Sequence, residues 1–260
     1  MRKFLIIALA AVGLLACKDK NEPSNKYPGM LSGKFSVSAK TKVHFSQGNL
    51  QYQASTNTWQ FAENQYDTIG ALNANISSTY DGWIDLFGFG TGNNPTLAST
   101  DDSDYSTFTD WGANVISNGG QKANAWRTLT LDEWKYLCQT RTNAENLRGS
   151  ATVAGVRGYV FLPDNWTTPD SLSWQGTPTS WTTNQYSADE WSTMQANGAV
   201  FLPAAGVRDG VQVKQVSTYG EYWSSTLEGE SYAYYIFFSW KNWGDVDVNR
   251  YYGFSVRLVR

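Results

Sequence analysis

The chain has 260 residues, 20 basic against 23 acidic groups, and an aromatic content of 15%. That length carries one large domain or two small ones with a sizeable core. The sparse charge forms no Lys/Arg run, which excludes nucleic-acid binding driven by phosphate contacts.

Residues 1–16 read as a leader. Arg2 and Lys3 give a charged start, and Phe4 to Leu15 form an apolar run too short to span a bilayer. Leu14-Leu15-Ala16-Cys17 resembles a bacterial lipobox, which implies that Cys17 becomes the lipidated first residue of the mature protein. Several acyl chains anchor stably where one is marginal. Residues 17–33 are polar, with Pro23 and Pro28, and read as a flexible tether. The acidic and lysine residues after Cys17 resemble the surface-export signal of Bacteroidetes lipoproteins, so a surface-exposed outer-membrane protein is expected.

Residues 34–260 are expected to form one domain. Phe35, Val37 and Ala39 alternate with serines, and Val43 and Phe45 flank His44, which reads as a surface strand residue. Leu50, Tyr52, Trp59 and Phe61 continue the strand pattern, with Gly48-Asn49 and Ser55-Thr56-Asn57 as turns. Asp101, Asp102 and Asp104 lie in a Gly/Asn-rich stretch without the calcium-loop spacing and read as a solvated acidic loop.

Two helices are predicted by capping boxes, Thr130-Leu131-Asp132-Glu133 and Ser187-Ala188-Asp189-Glu190. Leu131, Trp134, Leu137 and Cys138 share a face of the first. Trp191 and Met194 follow in the second, which Asn197-Gly198 stops. Each helix is followed by an apolar run ending in proline, Gly158 to Pro163 and Gly198 to Pro203, so the pair forms a near-repeat. The Asp-Glu dipeptides serve capping and the helix dipole rather than catalysis. Cys138, left alone, reads as a buried small hydrophobe. With His44 the single histidine, no zinc cluster and no Ser-His-Asp or Cys-His site is available, and no metal or cofactor is expected.

The last forty residues, 221–260, hold twelve aromatics, about double the density of the chain. Between Ala233 and Trp240, Tyr234, Ile236 and Phe238 alternate with Tyr235, Phe237 and Ser239. Both sides are largely apolar, so the strand is either buried on both faces or carries a binding face. Asp245 and Asp247 alternate with Val246 and Val248, and a hairpin through Lys241 to Gly244 would return them beside the first strand. Phe254, Val256 and Leu258 close the chain on a core-facing strand. Tyr235, Phe237, Ser239, Asn242, Asp245, Asp247, Asn249, Tyr251 and Tyr252 are the candidate ligand surface. Tyrosine and tryptophan offer rigid contact area, with Ser, Asn and Asp as adaptable hydrogen-bonding groups.

Trp126-Arg127-Thr128-Leu129-Thr130 with Trp134 and Leu137, Gly158 to Asp164, Gly198 to Gly206, Tyr222-Trp223-Ser224-Ser225-Thr226 and the Gly-Phe-Ser-Val-Arg-Leu-Val ending resemble the Fibrobacter succinogenes major paralogous domain. The resemblance implies an α+β fold of the C-type-lectin-like and formylglycine-generating-enzyme-like kind. That means a small, twisted, mainly antiparallel sheet, two or more helices and long loops. It extends to the variable proteins of diversity-generating retroelements, whose C-terminal segment is rewritten at adenine-containing codons to form the ligand site. Formylglycine generation needs paired cysteines and copper, and lone Cys138 does not fit it. The calcium motifs of sugar-binding lectins are missing.

Three functions follow from these residues. The first is a non-catalytic, lipid-anchored surface protein that binds a protein or glycan through residues 221–260. The second is a scaffold or adhesin component whose aromatics are core. The third is a glycan-active enzyme drawing on carboxylates such as Asp245 and Asp247. The lipobox makes the first test simple. Cys17→Ser should move the protein from the membrane to the soluble fraction on cell fractionation, and unchanged membrane association would rule the lipid anchor out.

Overall fold

The computed structural model describes residues 27–178 and 180–260; Cys17, the leader and the start of the tether lie outside the described residues. The fold is α+β and mostly strand. In chain order come β1 (Phe35–Ser36), β2 (Lys42–Val43), β3 (Leu50–Gln53), β4 (Thr58–Phe61) and β5 (Trp83–Ile84), then helix α1 (Leu131–Lys135). Strands β6 (Arg148–Val153), β7 (Val156–Phe161) and β8 (Gln185–Tyr186) precede helix α2 (Ala188–Ala196). The chain ends with β9 (Val200–Pro203), β10 (Val207–Asp209), β11 (Gln212–Lys214), β12 (Gly220–Glu228), β13 (Tyr232–Phe238) and β14 (Trp243–Asn249).

Where one sheet was expected, the described strands form several small ones. Their orders are β1-β2, β4-β3-β5, β8-β6-β7-β9, β10-β11 and β12-β13-β14. All pairings are antiparallel except β6 with β8. Packing begins before residue 34, because Met30 and Leu31 are buried and Leu31 N–H donates to the Phe45 carbonyl at 2.9 Å. His44 is half-buried, with Nδ1 3.0 Å from the Leu31 carbonyl oxygen.

Both capping boxes form. The Thr130 hydroxyl accepts from Glu133 N–H while the Glu133 carboxylate accepts from Thr130 N–H, and Ser187 and Glu190 repeat the exchange. Arg127 adds a two-pronged bond to Glu133, both distances 2.6 Å. Helix α1 passes into a single π-helical turn, Tyr136–Thr140, which keeps Leu137 and Cys138 on the buried side. Burial pushes the Cys138 thiol up to about 12, so it is an inert packing group. Gly198, at φ +95, ends α2 in the left-handed conformation that glycine adopts without strain.

The two strands of the near-repeat are each other's antiparallel partners, with Tyr159 opposite Leu202 and Val160 opposite Phe201. Two aromatic-rich cores flank the C-terminal sheet. The first gathers Phe35, Phe45, Trp134, Phe161, Tyr222 and Phe238; the second gathers Trp59, Phe87, Trp111, Trp126, Trp223 and Phe254. A third, with Trp191, Met194 and Phe201, lies under α2.

The capping geometry carries a prediction. Thr130→Ala and Ser187→Ala should each lower stability by about 0.5–2 kcal/mol in chemical unfolding. Unchanged midpoints in both would refute the capping role.

Candidate functional site

Residues opposite one another in an antiparallel ladder share a face. In the C-terminal sheet Tyr222 faces Ile236 and Ile236 faces Asp245, so one face carries Tyr222, Ile236, Phe238, Trp243, Asp245 and Asp247. That face covers the first core. The opposite face carries Glu221, Trp223, Ala233, Tyr235, Phe237, Val246 and Val248. Both faces pack in part: Tyr234 and Asp247 stand half-exposed and exposed on the first, and Tyr235 and Phe237 remain half-exposed on the second.

The nine candidate residues therefore do not form one surface. Tyr235, Phe237 and Tyr252 stand on the second face. Tyr252 lies parallel to Phe254, with ring centroids 6.2 Å apart, and Tyr251 packs tilted against Tyr252 at 4.6 Å. Asp245 and Asp247 are on the other side of the sheet. Asp245 pairs with Lys135 of α1 at 3.1 Å, and Asp247 is exposed. Asn249 shares their face and donates to Asp102 at 2.6 Å. Ser239 is buried at the hairpin turn, where its hydroxyl accepts from the backbone N–H groups of Lys241 and Asn242. Ser239 and exposed Asn242 border a separate hollow of about 150 Å³ beside Arg148.

A cavity of about 280 Å³ opens on the second face. Hairpin β10–β11 supplies Val207, Asp209 and Lys214; the sheet supplies Glu221, Tyr235 and Val248; the chain beyond β14 supplies Tyr252 and Phe254. The hairpin is set close by Gly206, where a Cβ would run into the Lys214 carbonyl, and by Gln215 at φ +62. The rings form a continuous wall: Tyr235 and Phe254 centroids lie 4.5 Å apart, and Trp223 lies 4.5 Å behind Phe254. A larger hollow of about 1000 Å³ lies against the acidic loop. Its lining of Ser99, Thr100, Asp101, Asp102 and Ser103 offers no aromatic wall.

Glu221 is the residue that strand alternation did not single out. It is 7% exposed, and its Oε2 has no hydrogen-bond partner among the described residues. Burial lifts its carboxyl from 4.5 to about 7. Burial first, and then the Glu221 charge, push the Tyr235 phenol up to about 12. At the mouth Lys214 bonds Asp209 at 2.9 Å, so the nearby cation is already engaged. Among the described residues no group of three or more His, Cys, Asp or Glu is placed to hold a metal ion. No helix there is long and apolar enough to cross a membrane.

Comparison with protein-family models, with curated proteins and with solved structures finds no match.

Glu221 ties stability to pH. The folded chain keeps a proton that the unfolded chain releases between about 4.5 and 7, so stability is highest below that range and falls as pH rises through it. The loss at about pH 8 amounts to about 3 kcal/mol. Glu221→Gln should remove it, gaining stability over wild type at about pH 8 but not at about pH 4.5. Asp85, buried and raised to about 6, adds its own slope to both proteins and cancels in the difference. Urea unfolding at the two pH values measures this, and a pH-independent difference would show that Glu221 is already solvated.

Proposed function

We propose that the chain is a non-catalytic ligand-binding protein held at the cell surface through lipid on Cys17. In this reading it grips a protein or glycan with the second face of its C-terminal sheet. The observation that carries the reading is the cavity between β10–β11 and the sheet. It has half-exposed Tyr235 and Tyr252 on its wall and a buried carboxylate oxygen without a partner among the described residues. Aromatic walls with few polar groups are the usual make-up of binding sites, and natural proteins seldom leave a buried charge unpaired without use. The α+β layout of small antiparallel sheets is consistent with the lectin-like scaffold that the Fibrobacter succinogenes paralogous domain implies. We extend the proposal to that scaffold, and to a retroelement-diversified segment limited to the cavity side of residues 221–260.

One observation favours a second reading. Glu221, raised to about 7, and Asp209 line the same cavity, as the general acid and its partner do in glycoside hydrolysis. The bond from Lys214 occupies Asp209 and weighs against it.

Binding to a panel of glycans and purified surface-protein ectodomains tests the first reading. Phe237→Ala and Tyr252→Ala should each weaken capture roughly thirtyfold, the usual cost of a central aromatic anchor. Val211→Ser, on the exposed tip beyond β10, should leave it unchanged. No ligand in either class, together with hydrolysis of chromogenic glycosides that Glu221→Gln abolishes, would replace binding with catalysis.

A further inference from the structure

We infer that the Glu221 cavity is an ammonium site, taking a protonated amine on a short apolar stem with Glu221 as its counter-charge and Tyr235, Tyr252 and Phe254 as its wall. This rests on reading the second face as the gripping surface and names the chemistry it grips.

Three observations converge on a cation. The first is the orphan. Glu221 is more than nine-tenths buried, and neither a donor nor an ion pair reaches its Oε2. A buried carboxylate oxygen without a partner is costly, and the group that removes the cost brings N–H donors and positive charge together. The second is the wall. Aromatic faces are electron-rich, and a cation within about 6 Å of a ring centroid is attracted to them. Tyr235 packs on Phe254 at 4.5 Å, and Tyr252 lies within 5° of parallel to Phe254, so the faces are contiguous. The third is size and lining. About 280 Å³ is room for a four-carbon stem and its ammonium. Val207 and Val248 line the path of the stem.

The internal candidate is engaged by a different carboxylate. Lys214 stands at the mouth, but its ammonium is 2.9 Å from Asp209 and is half-exposed. A compact ammonium suits one orphan oxygen in a narrow cavity better than the flat fork of a guanidinium. The ligand is therefore a lysine side chain of a protein partner or a free small amine.

The charged and titratable groups facing Glu221 are Asp209 and Lys214 from the hairpin, Tyr235 from β13 and Tyr252 after β14. Burial raises Glu221 itself to about 7, and burial with the Glu221 charge raises Tyr235 to about 12. An ammonium favours the ionised carboxylate, so affinity should rise with pH through about 7 and then level off until the amine deprotonates near about 10.

Calorimetric titration of the full chain decides the matter, with n-butylammonium, Nα-acetyl-lysine methylamide and the neutral Nα-acetyl-norleucine methylamide as probes. The two amines should bind and the norleucine compound should not. Tighter binding of the lysine compound points to a peptide source, tighter binding of butylammonium to a free amine. Glu221→Gln should weaken the amines roughly thirtyfold or more while the fold persists by circular dichroism. In the wild type, carbon-13 NMR should show the Glu221 carboxyl titrating at lower pH when butylammonium is saturating. Equal binding of the norleucine compound, an unaltered Glu221→Gln affinity, or a carboxyl titration that does not move would each overturn the inference. So would amine binding that appears only after Lys214→Met, because Lys214 would then be the native occupant. A protein or glycan held through Phe237 and Tyr252 but indifferent to Glu221→Gln would keep the surface reading and overturn the ammonium site alone.

Discussion

The chain is closed by its own last eight residues. Residues 253–260 form almost no regular strand, yet both edges of this segment are bonded to remote parts of the molecule. Gly253 and Arg208 exchange two backbone hydrogen bonds of 2.8 and 2.9 Å, and Phe254 and Phe87 exchange two of 3.0 and 2.9 Å. Ser255 N–H donates to Glu221, and Leu50 N–H donates to Val256. Val259 and Arg127 exchange a pair, as do Arg260 and His44. The N-terminal hairpins, the approach to α1, β10 and β12 are therefore registered on one terminal seam. Terminal segments usually fray unless they are tied into a sheet in this way.

Such a seam leaves many loop carbonyls without ladder partners, and buried arginines fill that need. Arg208 donates to the carbonyls of Leu86, Gly210 and Leu97, and Arg250 to those of Tyr232, Tyr105 and Gly229. Arg141 donates to Leu137, Leu162 and Leu147, and Arg148 to Cys138. Arg257, 1% exposed, donates to Gln65 at 2.7 Å and has no carboxylate partner among the described residues. Burial lowers it to about 9. A guanidinium has five donors in a fixed fork, so one side chain can satisfy carbonyls from three separated loops. Several aligned carbonyl dipoles offset the loss of water that a single acceptor could not.

These roles were hidden in the sequence because an arginine between apolar residues reads as the outer face of a strand. Arg257 does alternate with Val256 and Leu258, but the terminal segment has no outer face. Local signals were legible: both capping boxes, the β3 and β4 hairpin, the glycine stop after α2, and the split of Ile236 and Phe238 from Tyr235 and Phe237. What could not be read was the partner of each face. Tyr234 shares the core side of β13 but stands half-exposed beyond the first core. Asp245 and Asp247 fell on the wrong side of the sheet for a ligand surface with Tyr235 because of the turn. Four residues, 239–242, separate Phe238 from its partner Trp243, which sets Asp245 against Ile236. One residue more or less would flip β14 and bring the aspartates beside Tyr235. Strand alternation gives a phase within each strand, whereas the relative phase of two strands is fixed by a turn whose ends the alternation does not mark.

Glu221 shows how the seam and the site are joined. Its backbone carbonyl accepts from Ser255 N–H, so its position is dictated by closure of the chain and not by its side chain. The ladder then obliges the side chain to share the face of Phe237 and Trp223, pointing away from the first core. Other buried polar atoms also lack partners, among them the indole nitrogens of Trp111, Trp134 and Trp191, the Ser255 hydroxyl and Arg257 Nε. The indoles and the hydroxyl are neutral, and Arg257 uses its remaining nitrogens. Asp102 has its second oxygen bonded by Asn249. Glu221 differs from Asp102 in that its unused oxygen adjoins a cavity walled by aromatic rings. A glutamine or leucine there would serve the backbone equally and spare the desolvation. A local choice that costs stability at a position whose backbone is already fixed is the kind of departure expected at functional sites, and it is the ground on which the ligand proposal for Glu221 stands.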